Sequence, residues 1–181
     1  IKSVLSNSTR NGIYKCLDEM GANIRYSNKK SEAGEITYDL EVSSSILNPI
    51  DVPAKRAPSM IDDYPVLAIA ASMANGTSIF RGLSELKVKE SDRLLGIYHI
   101  LSKNGIDAII DDDNLIIKGN TEGPKGGAFI ETKLDHRIAM SSIILGMVSD
   151  KPIRVDDTET IKTSFPDFIE LMKKLGAKLS A

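Results

Sequence analysis

The chain has 181 residues, of which 23 are basic and 25 acidic, and its formal net charge is −2 at pH 7. This balance lacks the positive surface that nucleic-acid binding requires, and four Phe, five Tyr and no Trp give little surface for stacking bases. The single cysteine, Cys16, excludes an intrachain disulfide, and no apolar run is long enough to span a bilayer. We therefore expect a cytoplasmic, globular chain that binds neither nucleic acid nor membrane.

Three segments follow one plan, in which a helix ends at a glycine and a short strand follows. They cover residues 9–24, 91–110 and 164–179. Each opens with a capping residue and carries apolar side chains at helical spacing. Each helix ends at a glycine, namely Gly21, Gly105 or Gly176, where a left-handed residue is expected. Alternating residues beyond the glycine, as in 23–26 and 107–110, predict strands.

Two further helices are predicted to be apolar on nearly every face. They span residues 64–75, with Pro65 in the first turn, and residues 136–149. Strand-like residues follow each of them, at 77–81 and 153–155. Helices of this kind pack inside a domain rather than on its surface.

Polar segments at 27–34, 43–59 and 120–127 are predicted to be loops between these elements. Helices and strands alternate, and the pattern returns about every 60 residues, which indicates stacked copies of one unit. We therefore predict an α+β fold with one globular domain over residues 1–181. In it, roughly three repeats pack their buried helices together, and the sheets face outward.

Charged residues at two helix starts form the predicted site. Lys89 and Glu90 come just before a Ser-Asp cap, Arg93 follows in the first turn, and Arg137 heads a second helix after Asp135. A helix start is positive, so an arginine there is unfavourable unless it faces an anion together with free backbone N–H groups. The pattern predicts a site for a small molecule that carries phosphate and carboxylate groups. The alternative is a solvated cluster of surface charges.

Several of these residues also have a purely structural interpretation. Asp135 is an expected N-cap, and His136 is more often a packing or capping residue than a catalyst. Asp62 and Asp63 suit the dipole of the helix that follows them, which is the stronger interpretation, and a general base at this position is the alternative. Arg10 lies in another predicted first turn without such neighbours, and we interpret it as structural or exposed at a rim.

Four motifs along the chain resemble the EPSP synthase (3-phosphoshikimate 1-carboxyvinyltransferase) family, in particular its bacterial, glyphosate-tolerant members. They are APSMIDDYP (57–65), LKVKESDRL (86–94), LDHRIAMS (134–141) and TSFPD (163–167). The similarity covers essentially the whole chain but only the C-terminal part of the family's length. We therefore expect that the chain, which opens at Ile1, lacks the N-terminal domain of the same enzyme.

The resemblance implies two domains, each of three βαβαββ-like units, with phosphoenolpyruvate and shikimate 3-phosphate bound between them. It implies no metal or organic cofactor, and the sequence shows no metal-ligand spacing, with two histidines and one cysteine. Family members are usually monomers at full length. The isolated chain is expected to fold but to be inactive, because it would present half of a cleft.

The resemblance also implies residue roles. Lys89, Arg93 and Arg137 would hold the phosphate and carboxylate of phosphoenolpyruvate, and Glu90 would transfer a proton to its methylene carbon. Asp62 would accept the proton of the 5-hydroxyl of shikimate 3-phosphate and, with Lys89, would help to form the new C–O bond.

Two other residues are candidates for the site, and two other functions stay open. His136 lies between Asp135 and Arg137, and Lys162 lies one residue before the position where many family members have their lysine, which here is Thr163. The first alternative function is the related enolpyruvyl transfer to UDP-N-acetylglucosamine. The second is a non-catalytic anion-binding module.

Overall fold

The computed structural model of the chain describes residues 1–180, leaving aside the side chain of Glu32. Its α-helices are α1 (Gly12–Glu19), α2 (Tyr64–Ser72), α3 (Arg93–Lys103), α4 (His136–Gly146) and α5 (Phe168–Lys174). Its strands are β1 (Val4–Leu5), β2 (Asn23–Glu32), β3 (Glu35–Ser43), β4 (Asp51–Val52), β5 (Gly76–Phe80), β6 (Asp107–Asp111), β7 (Asn114–Gly119), β8 (Phe129–Ile130) and β9 (Arg154–Val155). Short 3₁₀ helices cover Ala54–Ser59, Ile61–Asp63, Ser84–Val88 and Glu159–Thr163.

A four-stranded sheet in the middle of the chain belongs to one complete βαβαββ unit. Its strands lie in the order β4-β5-β7-β6, with β4 parallel to β5 and the other pairs antiparallel. The chain builds the unit in the order β4-α2-β5-α3-β6-β7. The helix α2 is the crossover that the parallel pair requires, because parallel strands cannot be joined by a tight hairpin.

Half-units flank this complete unit on both sides. The order β1-α1-β2-β3 repeats the last four elements of the unit, β5-α3-β6-β7, and the sheet order β1-β3-β2 matches β5-β7-β6. The order β8-α4-β9-α5 repeats its first four elements, β4-α2-β5-α3, with β8 parallel to β9. The predicted α+β class is thus confirmed, and the roughly three predicted repeats are one whole unit and two halves within residues 1–180.

The core forms where α2, α3 and α4 pack against one another. Seven of the nine residues of α2 are buried, which confirms the helix predicted to be apolar all round. Both apolar helices end three residues earlier than predicted, at Ser72 and Gly146. Tyr64 and Phe80 pack as a tilted aromatic pair in this core, with ring centroids 5.5 Å apart.

The three predicted helix-ending glycines are confirmed. Gly21, Gly105 and Gly176 all have positive φ, at 81°, 83° and 97°. After α3 the amide of Ile106 donates to the carbonyl of Leu101 at 3.1 Å, and the same bond closes α1 and α5. This is the Schellman arrangement, which needs a left-handed residue and therefore favours glycine.

The starts of two helices were predicted too early. The helix α1 begins at Gly12 rather than near Thr9, and its N-cap Asn11 makes no side-chain capping bond. Arg10 therefore precedes the helix rather than lying in its first turn. The helix α5 begins at Phe168, and within the described residues no strand follows it.

The polar loops were predicted with mixed success. Residues 27–34 belong mostly to strand β2, which pairs with β3 through a two-residue turn at Ala33 and Gly34, both with positive φ. The prediction failed there because the side chains of this hairpin are largely exposed. Polar residues can therefore form a paired strand without being buried, and the sequence shows no apolar pattern that would predict it. The segment 43–59 contains β4 and a 3₁₀ helix. Within the described part of the chain, no helix has the length and apolarity needed to cross a membrane.

Candidate active site

The N-termini of three buried helices meet at one place. Asp62 stands just before α2, Arg93 is the first residue of α3, and Asp135 caps α4. Arg93 donates from Nη1 to Oδ1 of Asp62 at 2.9 Å and from Nε to Oδ2 of Asp135 at 2.8 Å. The positive ends of three helix dipoles therefore point toward one cluster, as an anion-binding site requires.

Arg93 is the largest fully buried side chain in the described residues, with only 1% of its surface exposed. Besides its bonds to Asp62 and Asp135, it forms an ion pair through Nη2 with Glu90, without the angles of a hydrogen bond. Burial lowers the pKa of Arg93, but these three carboxylates outweigh it and raise the pKa above its ordinary value. The guanidinium is thus a permanent cation in the core, where only hydrogen-bonded counter-charges make it tolerable.

Asp135 is fully buried and joins two helices. Its Oδ1 accepts from the backbone amide of Arg137 at 2.9 Å, and its Oδ2 accepts from Arg93 Nε and from Ser91 Oγ, the latter at 2.9 Å. Burial raises the pKa of Asp135, but the bond from Arg93 and the other donors outweigh it and hold the pKa below its ordinary value. The sequence predicted the cap but missed the ion pair, because 42 residues separate the partners.

Arg137 is the second residue of α4, and its side chain is partly exposed. Its Nη1 donates to the backbone carbonyl of Asp62 at 2.9 Å, while Nη2 lies 3.7 Å from Asp62 Oδ2. Nη1 also lies 3.9 Å from Oδ1 of Asp63. Burial raises the pKa of Asp63 and outweighs the charge of Arg137, which lowers it. These longer ion pairs leave the guanidinium of Arg137 able to turn toward a ligand.

Lys89 and Glu90 lie between a 3₁₀ helix and α3 and turn toward different partners. Lys89 donates from Nζ to Oε1 of Glu85 at 2.7 Å, so it pairs one helical turn back rather than with its neighbour. Glu90 has 54% of its side chain exposed while it touches Arg93. Among the described carboxylates that contact Arg93, that of Glu90 is the most exposed to solvent, compared with 31% for Asp62 and 0% for Asp135.

The structure gives the two additional candidates different places. His136 is the first residue of α4 and is half-buried between Asp135 and Arg137 in the chain. Lys162 is exposed in the 3₁₀ helix Glu159–Thr163 and donates to both carboxylate oxygens of Glu159, at 2.8 and 2.7 Å. Asp62, Glu90, Arg93 and Arg137 are thus brought together, whereas Lys162 pairs outside that cluster.

A groove of about 310 Å³ opens beside the cluster. Glu90 and Ser91 line one end of it, and the outer face of α3, including Leu95 and His99, forms one wall. The segment after β8, with Lys133, lines the groove as well. Among the described residues, Glu90 is the one carboxylate in contact with Arg93 that is more than half exposed, and it borders a space large enough for a small metabolite.

The chain is an α+β protein in which a βαβαββ unit and its partial copies bring helix starts, arginines and carboxylates together in one cluster. Residues 1–172 match the model of one family, described as EPSP synthase (3-phosphoshikimate 1-carboxyvinyltransferase). Since the match covers nearly all of the chain, this protein belongs to the EPSP synthase family.

Individual relatives agree with that membership. The 3-phosphoshikimate 1-carboxyvinyltransferase of Chelativorans sp. (strain BNC1) is 51% identical over 180 residues, which cover 99% of this chain and 40% of the relative. The EPSP synthase structure from Acinetobacter baumannii superposes with a TM-score of 0.93 at 37% identity, over 98% of this chain and 41% of that one. The enolpyruvyl transferase NikO from Streptomyces tendae, with a TM-score of 0.66 and 21% identity over 92% of this chain and 35% of that one, shares the fold. The chain spans about 40% of the length of the curated relatives it matches.

Proposed function

We propose that the chain, residues 1–181, is the C-terminal domain of an enzyme that transfers the carboxyvinyl group of phosphoenolpyruvate to the 5-hydroxyl of shikimate 3-phosphate, releasing phosphate. The reaction is a step of the shikimate pathway toward aromatic amino acids. The observation that supports it most is the cluster at the three helix starts, where Arg93 and Arg137 lie against Asp62 and Glu90. No metal or organic cofactor is part of the proposal.

Phosphoenolpyruvate carries a phosphate and a carboxylate, and Lys89, Arg93 and Arg137 supply the three cations that would hold them. Arginine suits this task because its planar fork matches both groups. Glu90 is mobile enough to leave Nη2 of Arg93 when the ligand arrives, since more than half of its side chain is exposed. Lys89 would likewise exchange Glu85 for the ligand. In each exchange one anion replaces another, so no buried cation is left without a counter-charge.

The proposed chemistry proceeds by addition and then elimination. Glu90 gives a proton to the methylene carbon of phosphoenolpyruvate, and the 5-oxygen of shikimate 3-phosphate bonds to the neighbouring carbon. Asp62, helped by Lys89, takes the hydroxyl proton, and its Oδ2 is free of close hydrogen bonds at 3.7 Å from Arg137. In the elimination Glu90, now a carboxylate, takes back a proton from the new methyl group of the tetrahedral ketal. The electron pair of that C–H bond forms the double bond, while the C–O bond to phosphate breaks and its electron pair leaves with the phosphate.

The remainder of the enzyme is part of this proposal, because the chain spans only about 40% of its relatives. We expect that remainder to supply most of the shikimate 3-phosphate contacts and to close the other side of the cleft. By the same resemblance we propose a monomeric, cytoplasmic enzyme that tolerates glyphosate. Light scattering would test the first property, cell fractionation the second and an inhibition curve the third.

The test is phosphate release from phosphoenolpyruvate plus shikimate 3-phosphate. It would use the chain alone, the separately made remainder alone and the two mixed. We expect turnover only in the mixture. Turnover by the chain alone would contradict the half-cleft proposal, and silence from folded partners would instead support the non-catalytic anion-binding module.

The acceptor is tested in the same assay by exchanging shikimate 3-phosphate for UDP-N-acetylglucosamine. We expect no phosphate release with the nucleotide sugar. The relatives at about half identity carry the name 3-phosphoshikimate 1-carboxyvinyltransferase, which does not favour the nucleotide-sugar alternative.

A further inference from the structure

One carboxylate fixes the first turns of two helices that carry the anion-binding arginines. Asp135 receives the side chain of Arg93 on Oδ2 at 2.8 Å and the backbone amide of Arg137 on Oδ1 at 2.9 Å. Ser91 donates to the same Oδ2 at 2.9 Å and so ties the approach to α3 to the same group. We propose that Asp135 is a positioning residue that sets the placement of both arginines for ligand binding; this rests on the function proposed above.

The contacts define how Arg93 is oriented. Its Nε is held by Asp135 and its Nη1 by Asp62, which together fix the plane of the guanidinium. The remaining nitrogen, Nη2, faces Glu90, the exposed member of the cluster. Asp135 therefore binds the Nε side of the guanidinium, and this leaves Nη2 directed toward the space where a ligand would lie.

Three carboxylates contact Arg93, but only one of them can be its constant partner. Asp62 and Glu90 are partly exposed, and the proposed reaction changes the protonation of both. Asp135 is fully buried, and the donors around it hold its pKa below the ordinary value, so it stays ionised. It alone can keep the Arg93 cation paired and in place while the other two carboxylates exchange protons or release the guanidinium.

The experiment substitutes Asp135→Asn in the complete enzyme and measures turnover, the KM for phosphoenolpyruvate and the melting temperature. We expect the KM for phosphoenolpyruvate to rise by about tenfold or more, because a charge-assisted bond to the ligand-binding arginine is lost. The control is Asp51→Asn, since Asp51 also accepts from an arginine Nε, that of Arg81, at 2.7 Å but on an exposed sheet edge. We expect the control to leave both kinetic constants unchanged.

A double-mutant cycle separates positioning from general destabilisation. In an Arg93→Lys background the Nε donor is absent, so Asp135→Asn should raise the KM much less than it does in the parent enzyme. A merely structural role predicts the same loss in both backgrounds. An Asp135→Asn enzyme that melts at a lower temperature but keeps its KM for phosphoenolpyruvate within twofold would overturn the proposal.

Ser91→Ala keeps the proposal testable if Asp135→Asn does not fold. This change removes one of the donors to Oδ2 and leaves the Arg93–Asp135 ion pair intact. We expect it to raise the KM by about two- to fivefold and to lower the melting temperature by only a few degrees, as the loss of one modest hydrogen bond implies. An unchanged KM in Ser91→Ala would then overturn the proposal.

Absence of turnover by the unsubstituted enzyme would contradict the proposed function instead. Calorimetric binding of phosphoenolpyruvate to the same variants would still report on the role of Asp135.

Discussion

The Nε of Arg93 donates to Oδ2 of Asp135 across 2.8 Å, and this bond joins the first residue of α3 to the residue that caps α4. The two side chains are 1% and 0% exposed, so the pair belongs to the core as well as to the edge of the site. Stability and ligand binding are therefore coupled at one ion pair, and the predictions below separate the two effects.

Removing the buried carboxylate should strongly destabilise the chain. Asp135→Ala leaves the Arg93 cation without its most buried partner, which costs about 3–5 kcal/mol in comparable buried pairs. Asp51→Ala breaks the exposed pair with Arg81 and should cost no more than about 1 kcal/mol. Urea denaturation of the two variants measures both values, and equal losses would show that burial of the pair is not what matters.

The same carboxylate should give the chain a definite response to acid. The pKa of Asp135 is lower in the folded state than in the unfolded chain. Its contribution to the free energy of unfolding is therefore complete above the unfolded pKa of about 3.9 and is lost as the pH falls through the lower, folded value. Urea midpoints measured from about pH 5 down to about pH 2 should decline less steeply in Asp135→Asn than in the parent chain. An identical acid slope would contradict the ion pair.

Replacing the exposed carboxylate of the cluster should affect catalysis and spare binding. Glu90→Gln in the complete enzyme keeps the shape of the side chain but removes the proton that it is proposed to donate. We expect turnover to fall by about 10²- to 10⁴-fold, the usual contribution of general acid catalysis. Binding of phosphoenolpyruvate, followed by calorimetry, should persist.

The control for that change is Glu159→Gln, because Glu159 is an exposed glutamate paired with Lys162 outside the cluster. We expect it to turn over at the normal rate. A Glu90→Gln enzyme that keeps its activity would exclude Glu90 as the proton donor while leaving the anion-binding arginines untouched.

Two glycines should respond in opposite directions to the same added methyl group. In Gly119→Ala the new Cβ would lie 2.3 Å from the carbonyl oxygen of Ala74 and 2.4 Å from that of Ala71. Strand β7, which ends at Gly119, must therefore move away from α2. We expect a loss of about 1–3 kcal/mol, as for other overpacked sites. In Gly146→Ala the nearest atoms are at 3.6 Å and the residue is helical, so the change should be neutral or slightly stabilising. Thermal melts of the two variants provide the comparison.

The half-exposed Tyr26 should titrate at unusually alkaline pH. Burial, together with the hydrogen bond that Tyr26 donates to Asp18 at 3.0 Å, raises the pKa of Tyr26 to about 12. Because the folded value exceeds the ordinary one of about 10, this contribution to stability is present below that pH and is lost as the pH rises through about 12. Absorbance titration of Tyr26→Phe should lose a step near pH 12 that the parent chain shows. In Asp18→Asn that step should move toward lower pH.

The ends of the three helices that stop at a glycine were accurately predictable because their signals are local. Gly21, Gly105 and Gly176 end their helices through bonds among residues five or fewer apart, and such bonds depend only on the neighbouring chain. The buried character of α2 was equally readable, because an all-apolar helix has no face that favours water. Strand β2 was not, since a largely exposed hairpin gains its stability from pairing rather than from an apolar pattern.

The membership of the charged cluster was predictable in part. Asp62, Glu90, Arg93 and Arg137 were singled out by their positions at helix starts, and the fold brings all four together. The pairing of Lys89 with Glu85 was missed, because adjacent charges in a sequence do not reveal which way each side chain turns.

The sequence by itself determined the α+β class, the three helix ends marked by glycine, the buried helices and the residues with the right chemistry for an anion. These follow from hydrophobic periodicity, capping and residue type, all of which act over a few neighbouring residues. The tertiary structure alone decided that Asp135 holds Arg93 and that one complete unit lies between two halves. Those outcomes depend on segments 40 or more residues apart packing side by side, where burial makes each cation select the carboxylate that the fold places within reach.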